Sequence, residues 1–311
     1  MTSEEEEEEE EEDWASQPCA GSQCPGDCPN EDCPSTWYPY TPQDYTAMFL
    51  SFYQFLTTLH YSPADLKTPP PTGWPHLTRQ PSGGGVPPDY KTDFALQVMR
   101  HLPYLGGKRH YDYKSILIDY STLDPQKSHW FKADINGKYP EDDWWENGNW
   151  PYSLPEGQTP PLGDSLIPLT CGWESGGIIL VLDTKRGQIL EEVVRCDNRV
   201  YDVQEYFDKM KREFSNLELI PCEGRILLGG GKAQGEVLVT DEQFWGQGSD
   251  EWWGTDLDVA YIQQIYREHG WPESFRREEC FRTVNALLDK VKEKRGSSWE
   301  EWDEGHFERA E

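Results

Sequence analysis

The stretch from Ile178 to Phe214 leaves the chain few ways to fold. Ile178 to Leu182 and Gln188 to Val194 are two apolar runs of strand length. Between them, Asp183-Thr184-Lys185-Arg186-Gly187 has the composition of a turn. The spacing predicts a β-hairpin. Asp202 then stands three residues before Glu205 in a capping-box arrangement, and Val203, Tyr206, Phe207, Met210 and Phe214 recur at three- and four-residue steps, which predicts a helix with one apolar side.

Helix signals precede this unit and follow it. Thr41-Pro42-Gln43-Asp44 places a capping hydroxyl, a first-turn proline and an acid ahead of Met48, Phe49, Phe52, Phe55, Leu56 and Leu59, which line one face. Ser62-Pro63-Ala64-Asp65 repeats the cap in miniature. Thr92 caps a second helix with Phe94, Ala95, Val98, Met99 and Leu102 inward, and Pro103 stops it. Thr255 opens a helix reaching about His269, and another after Pro272 buries Phe281, Val284, Leu287, Leu288 and Val291. Ile116-Leu117-Ile118 suits a strand covered on both faces. Arg225 to Leu228 and Glu236 to Thr240 read as a strand pair split by Gly229-Gly230-Gly231-Lys232. The expected fold class is α+β: a central, mostly antiparallel sheet with flanking helices, behind a disordered acidic N-terminal tail. The expected divisions are a Cys- and Pro-containing tail over 1–40, one globular domain over 41–295 and a flexible acidic tail over 296–311.

Charge narrows the function classes. The 311 residues hold 57 acids against 28 Lys and Arg, a net of -29, and residues 1 to 33 contribute 13 of those acids and no base. So acidic a chain repels phosphate backbones and anionic lipid, so neither nucleic acid nor a membrane surface is an expected partner. No run approaches the ~18 apolar residues of a membrane span. Met1-Thr2-Ser3 followed by nine glutamates lacks the basic start and apolar middle of a secretion signal, so the expected location is intracellular, cytoplasmic or nuclear.

The chemistry-bearing motifs fall short of their patterns. Cys19, Cys24, Cys28 and Cys33 lie close enough for a thiolate site, but they lack the paired C-x-x-C knuckles of structural zinc, and reduced thiols in an acidic segment are the expectation; no metal and no cofactor is assigned. Cys171, Cys196, Cys222 and Cys280 read as small buried hydrophobes. Gly229 to Lys232 fails as a phosphate loop, because Ile226, followed by Leu227, stands six before Lys232 where the pattern needs glycine, and Ala233 replaces the hydroxyl that would hold magnesium. The seven histidines form no H-E-x-x-H pair, and there is no G-x-S-x-G elbow.

Aromatic and acidic residues interleave in two loop-like tracts, Glu141 to Trp150 and Phe244 to Gly254, the first carrying Trp144 and Trp145 and the second Trp252 and Trp253. Flat rings stack on sugars or cationic groups, and neighbouring carboxylates can act as an acid/base pair. The same rings can also pin their own loops as satellite cores.

The segment Trp173-Glu174-Ser175-Gly176-Gly177, then Ile178 to Asp183, Gly187 and the helix from Tyr201 to Phe207 resembles the SUKH superfamily, which includes fungal regulators of cell-wall synthesis and bacterial immunity proteins that bind toxins. The likeness covers residues 165 to 220 best. It implies an α+β protein-binding domain without catalytic residues, and the C-terminal extension with its paired tryptophans departs from it. The Pro-rich linkers and acidic head are also similar in style to proteins of filamentous fungi.

Two function classes follow. The first is a non-enzymatic interaction or regulatory module that binds a protein or peptide through its hairpin edge and aromatic loops, with Trp173, Glu174, Trp144, Trp145, Trp252 and Trp253 as candidate binding residues. The second is an enzyme acting on a saccharide or small metabolite, using carboxylates from Glu141 to Glu146, or Asp250 and Glu251, in a Trp-lined cleft.

Overall fold

Thr41 sets the first element. Its hydroxyl accepts from the Asp44 amide at 3.2 Å, Asp44 Oδ2 accepts from the Thr41 amide at 2.8 Å, and with Pro42 in the first turn the helix α1 runs Pro42–Leu59. The computed structural model describes residues 38–79, 85–86, 90–107, 109–125, 163–173, 175–196, 198–229, 238–247 and 255–295. The chain divides into two units, Met1–Pro39 and Tyr40–Glu311, and every element below belongs to the second.

Along α1 the buried stripe is Tyr45, Phe49, Phe52, Tyr53, Leu56 and Leu59. Met48 and Phe55, expected inward, are half-buried against the same core, because the two tyrosines occupy the centre of the stripe. Ser62 caps a short 3₁₀ turn at Pro63–Asp65, and β1 follows at Leu66–Lys67. Thr92 caps α2, Asp93–His101, which ends as Leu102 turns extended ahead of Pro103. Strand β2, Tyr104–Leu105, pairs antiparallel with β1.

The sheet is built from β3 (His110–Asp112), β4 (Ser115–Leu117), β5 (Leu166–Pro168), β6 (Thr170–Gly172), β7 (Ile178–Asp183), β8 (Gln188–Val193) and β9 (Asn198–Asp202). They form two ladders, β3-β4-β6 and β5-β7-β8-β9, with every described pair antiparallel. Leu169 joins the ladders: its N–H donates to the Leu180 carbonyl at 2.8 Å and its carbonyl accepts from the Ile118 amide at 2.9 Å. Thr170 reinforces the seam, its hydroxyl accepting from the Leu180 amide at 2.8 Å and donating to the Ile178 carbonyl at 3.0 Å. The architecture is therefore α+β with antiparallel sheet and packed helices.

The hairpin forms where the sequence puts it. Asp183 Oδ1 accepts from the amides of Lys185 and Arg186, and Gly187 takes φ 69° to close the turn. One expectation is corrected here: the hairpin offers no edge. β7 is flanked by β5 and β8, and β8 by β7 and β9, so the backbone groups of both strands are spent inside the sheet.

Helix α3, Val203–Ser215, buries the five residues that its spacing predicts. Asp202 caps it from one side only, Oδ1 taking the amides of Gln204 and Glu205 while Oδ2 accepts from the Tyr40 hydroxyl at 2.7 Å. The Val203 amide donates to the Gly187 carbonyl, which ties the helix start to the hairpin turn. Phe207 then enters between Phe49 and Phe52, edge-on to the first at 4.8 Å and stacked on the second at 4.7 Å. That contact centres the core.

A second expectation is overturned downstream. Arg225 to Leu228 is a strand, β11, but its partner is β10, Leu219–Cys222, through the two-residue turn Glu223-Gly224 with Gly224 at φ 75°. Thr240 is no strand end; it caps the short helix α4, Asp241–Trp245, in a capping box with Gln243. Residues 230–237 lie outside the described set. Helix α5, Asp256–Glu268, starts at a Thr255–Asp258 capping box. In α6, Arg277–Arg295, Phe281, Val284 and Val291 are buried, whereas Leu287 and Leu288 are half-buried. Among the described residues no helix is long and apolar enough to cross a membrane.

Candidate functional site

Charge inside a core needs a reason, and the described residues concentrate it under α3. Strand alternation on β8 turns Glu191 to the same side as Ile189, into the main core, while Leu190 joins Leu166 and Val181 on the other face. Lys209 stands three residues after Tyr206 and four before Glu213, at the margin of the apolar side of α3. Its ammonium lies 3.2 Å from Glu191 Oε2 and 3.5 Å from Glu213 Oε1, and it covers the rings of Tyr201 at 5.1 Å and Tyr206 at 5.4 Å. The Tyr111 hydroxyl donates to that of Tyr206 at 3.3 Å. Asp112, on β3, is 6% exposed, its Oδ1 accepting from the Tyr113 amide at 2.6 Å.

The electrostatics follow from counting. Two carboxyls, from β8 and α3, share one ammonium, and the charges of all three act on Asp112 of β3. Burial pushes Asp112 up to about 7, and the neighbouring Glu191 charge adds to the shift, while the Tyr113 amide and Lys209 oppose it. Burial also raises Glu213, against the pull of Lys209. For Lys209 burial works downward, but Glu191 and Glu213 outweigh it and the ammonium is held charged. Burial drives both Tyr111 and Tyr206 well above the ordinary phenol value. The arrangement thus holds a cation fixed by two carboxylates and two ring faces. A charged, fully committed ammonium is no nucleophile.

Two other buried ionisable groups have local explanations. His60 bonds through Nε2 to the His110 carbonyl at 2.8 Å, and burial drives its pKa down to about 3. Lys91 donates to the Leu166 carbonyl at 2.6 Å, and burial lowers it to about 7 against the attraction of Asp164. Each ties a loop to the sheet.

Of the candidate binding residues named from sequence, Trp173 is described. It is half-buried, its amide donates to the Lys114 carbonyl at 3.2 Å, and its ring lies 5.6 Å from that of His110. It belongs to the margin of the sheet, one strand from Asp112. Glu174, Trp144, Trp145, Trp252 and Trp253 lie outside the described residues, as do the carboxylates Glu141 to Glu146, Asp250 and Glu251 and the cysteines at 19, 24, 28 and 33. Sequence reasoning passed over Glu191, Lys209 and Asp112. The available signal was Glu191 at an inward strand position, where it breaks the alternation begun by Ile189.

An open depression of about 340 Å³ is lined by Thr78, Arg79, Asp93, Leu96, Gln97 and Arg100. Arg79 is committed there to Asp93 Oδ1 at 2.7 Å and to the Lys91 carbonyl. Among the described residues no three His, Cys, Asp or Glu side chains are placed to hold a metal ion. Charge is also distributed unevenly. Residues 1 to 33 hold 13 acids and no base, and the remaining 278 residues hold 44 acids and 28 bases.

Compared with protein-family models, with curated proteins and with solved structures, the chain matches none.

Proposed function

We propose that the chain is a non-catalytic protein-interaction or regulatory module of SUKH-like type, whose partner is a protein or peptide with a basic surface. The observation that carries this reading is the distribution of charge: 13 acids without a base over residues 1 to 33, against 44 acids with 28 bases over the remaining 278. A segment of mixed sign can pair its charges; a single-sign segment steers an oppositely charged partner and raises its on-rate. The geometry around Lys209 supports the same reading, since its ammonium is taken up by Glu191 and Glu213. Edge pairing by the hairpin is no part of the proposal, both of its strands being interior.

The test is capture from native lysate with the full chain, beside a full-length variant in which Glu4 to Glu12 are all glutamine. A specific partner should bind the wild type, bind the variant at least about tenfold less tightly, and dissociate as salt rises. Equal capture by both chains, or no specific partner at either salt, counts against the proposal.

A second reading, an enzyme acting on a saccharide or small metabolite, has one observation on its side: burial pushes the Asp112 carboxyl up to about 7, and the Glu191 and Glu213 charges add to the shift. Turnover of a screened substrate that disappears in Asp112→Asn, with folding intact, would favour it.

A further inference from the structure

Strand β9 closes one end of its ladder, and among the described residues it pairs with β8 alone. Two bonds fix which of its backbone groups face outward. The Val203 amide donates to the Gly187 carbonyl, and these residues stand opposite each other when the register of Gln188 with Asp202 is continued by one position. Bonded pairs recur at every second residue of an antiparallel ladder, so Tyr201 and Arg199 exchange bonds with Ile189 and Glu191. The Val194 amide, bonded to the Gly177 carbonyl, sets β8 in the same phase from its other side and turns the Leu190 backbone toward Val181. The Val200 amide and carbonyl and the Asp202 amide therefore point away from the sheet, and no described residue bonds to them.

Side chains continue the pattern. Val181, Leu190 and Val200 stand directly opposite one another across three strands, and Val200 packs half-buried on the small core of Leu166, Val181 and Leu190. A further strand would set an apolar side chain beside Val200 and lengthen that row. Where β9 meets α3, Asp202 is followed by Glu205 and Asp208, both exposed, while Arg199 is the exposed base of the strand. The acids favour a lysine or arginine opposite Asp202. A second copy of the chain is a poorer occupant, because each copy carries a net charge of -29. We propose that the open edge of β9 accepts an extended peptide of a partner protein as an added antiparallel strand, with a β-branched residue opposite Val200 and a basic one opposite Asp202. This rests on the reading of the chain as a binder of basic proteins, and it names where on the sheet such a partner attaches.

The probe is the end-capped peptide Lys-Thr-Val-Thr-Lys, titrated at about 0.15 M salt into the ¹⁵N-labelled full chain. Saturable shifts should centre on the Val200 and Asp202 amides. Full-length Val200→Pro, which loses an outward N–H and no ladder bond, should keep its melting temperature and bind at least about tenfold more weakly. The peptide supplies a second test that does not depend on how the variant folds. Methylating its valine amide, which faces the Val200 carbonyl, should weaken binding at least about tenfold, whereas methylating the threonine after it, whose amide faces away, should change binding less than about twofold. No saturable binding, shifts centred elsewhere, equal binding by Val200→Pro, or equal loss from both methylations overturns the edge. Shifts at Val200 and Asp202 that grow with chain concentration, without peptide, identify a second copy as the occupant and overturn the proposal. The wider reading fails separately: a lysate capture without any partner removes it, and the titration at Val200 still decides the edge.

Discussion

Arg277, at the start of α6, donates through Nη1 to the Tyr61 carbonyl at 2.5 Å, a bond that spans 216 positions of sequence. It fixes the beginning of the last helix to the end of the first. Trp271 makes a parallel connection, its indole N–H shared at 3.1 Å between the carbonyls of Phe214 and Ser215 at the end of α3. The C-terminal helices are thereby bonded to the same body as the hairpin, and Tyr266, Trp271 and Phe281 belong to the same core as Phe52 and Phe207.

Arg277→Ala should therefore weaken the whole body. Loss of a charged donor leaves the Tyr61 carbonyl short of a partner at a half-buried site, at a cost of about 1–2 kcal/mol. Urea unfolding should show one transition with a lower midpoint and an unchanged slope. Two separated transitions would mean that α5 and α6 unfold on their own.

Lys209→Met tests the ion group from the cation side. Glu191 is 4% exposed and would lose the ammonium 3.2 Å away, so destabilisation of about 3 kcal/mol is expected. Lys209→Met with Glu191→Leu should recover most of that loss, because the pair is then replaced by apolar volume. Chemical denaturation of the four chains of this double-mutant cycle supplies the measurement. Additive effects would show that the pair is uncoupled.

The helices were legible because their signals are local. Thr41 with Asp44 and Thr255 with Asp258 are complete capping boxes within four residues, and the five apolar positions of α3 all face the core. The pairing of Arg225 to Leu228 was not legible. Pro221 disguised Leu219–Cys222 as non-strand, and Glu223-Gly224 is a weaker turn signature than Asn-Gly or Asp-Gly. Thr240 and Gln243 carried a capping box of their own that a strand reading of Glu236 to Thr240 overrode. The ion group was hidden for a different reason. Asp112, Glu191 and Lys209 come from three elements, and only tertiary packing brings them together. Most of the tryptophans proposed for binding lie outside the described residues, so Trp173 is the part of that reading with a position.

His60 provides a pH test. Its folded-state pKa, near 3, lies below the ordinary 6.5, so the unfolded chain takes up the proton first. The stabilisation is complete above about pH 6.5 and is lost as pH falls toward 3. His60→Gln removes the titrating group and should flatten that acid limb, so that the stability gap between wild type and variant narrows as pH drops from 7 to 4. Thermal melts across this range measure it. A gap constant with pH would place the titration elsewhere.

Trp173 separates packing from contact. Its ring meets His110, its backbone is bonded to Lys114, and the residue is half-buried. Removing a half-buried aromatic ring should cost roughly half the ~3–5 kcal/mol of a fully buried one. Trp173→Ala is expected to lower stability by about 2 kcal/mol and Trp173→Phe by less than about 1 kcal/mol. If the exposed part of the ring also makes contact, Trp173→Phe should weaken partner capture while leaving the melting temperature nearly unchanged, because the smaller ring still packs on His110 but withdraws the outer edge of the indole. Loss of capture that follows melting temperature across both variants would assign Trp173 to packing alone.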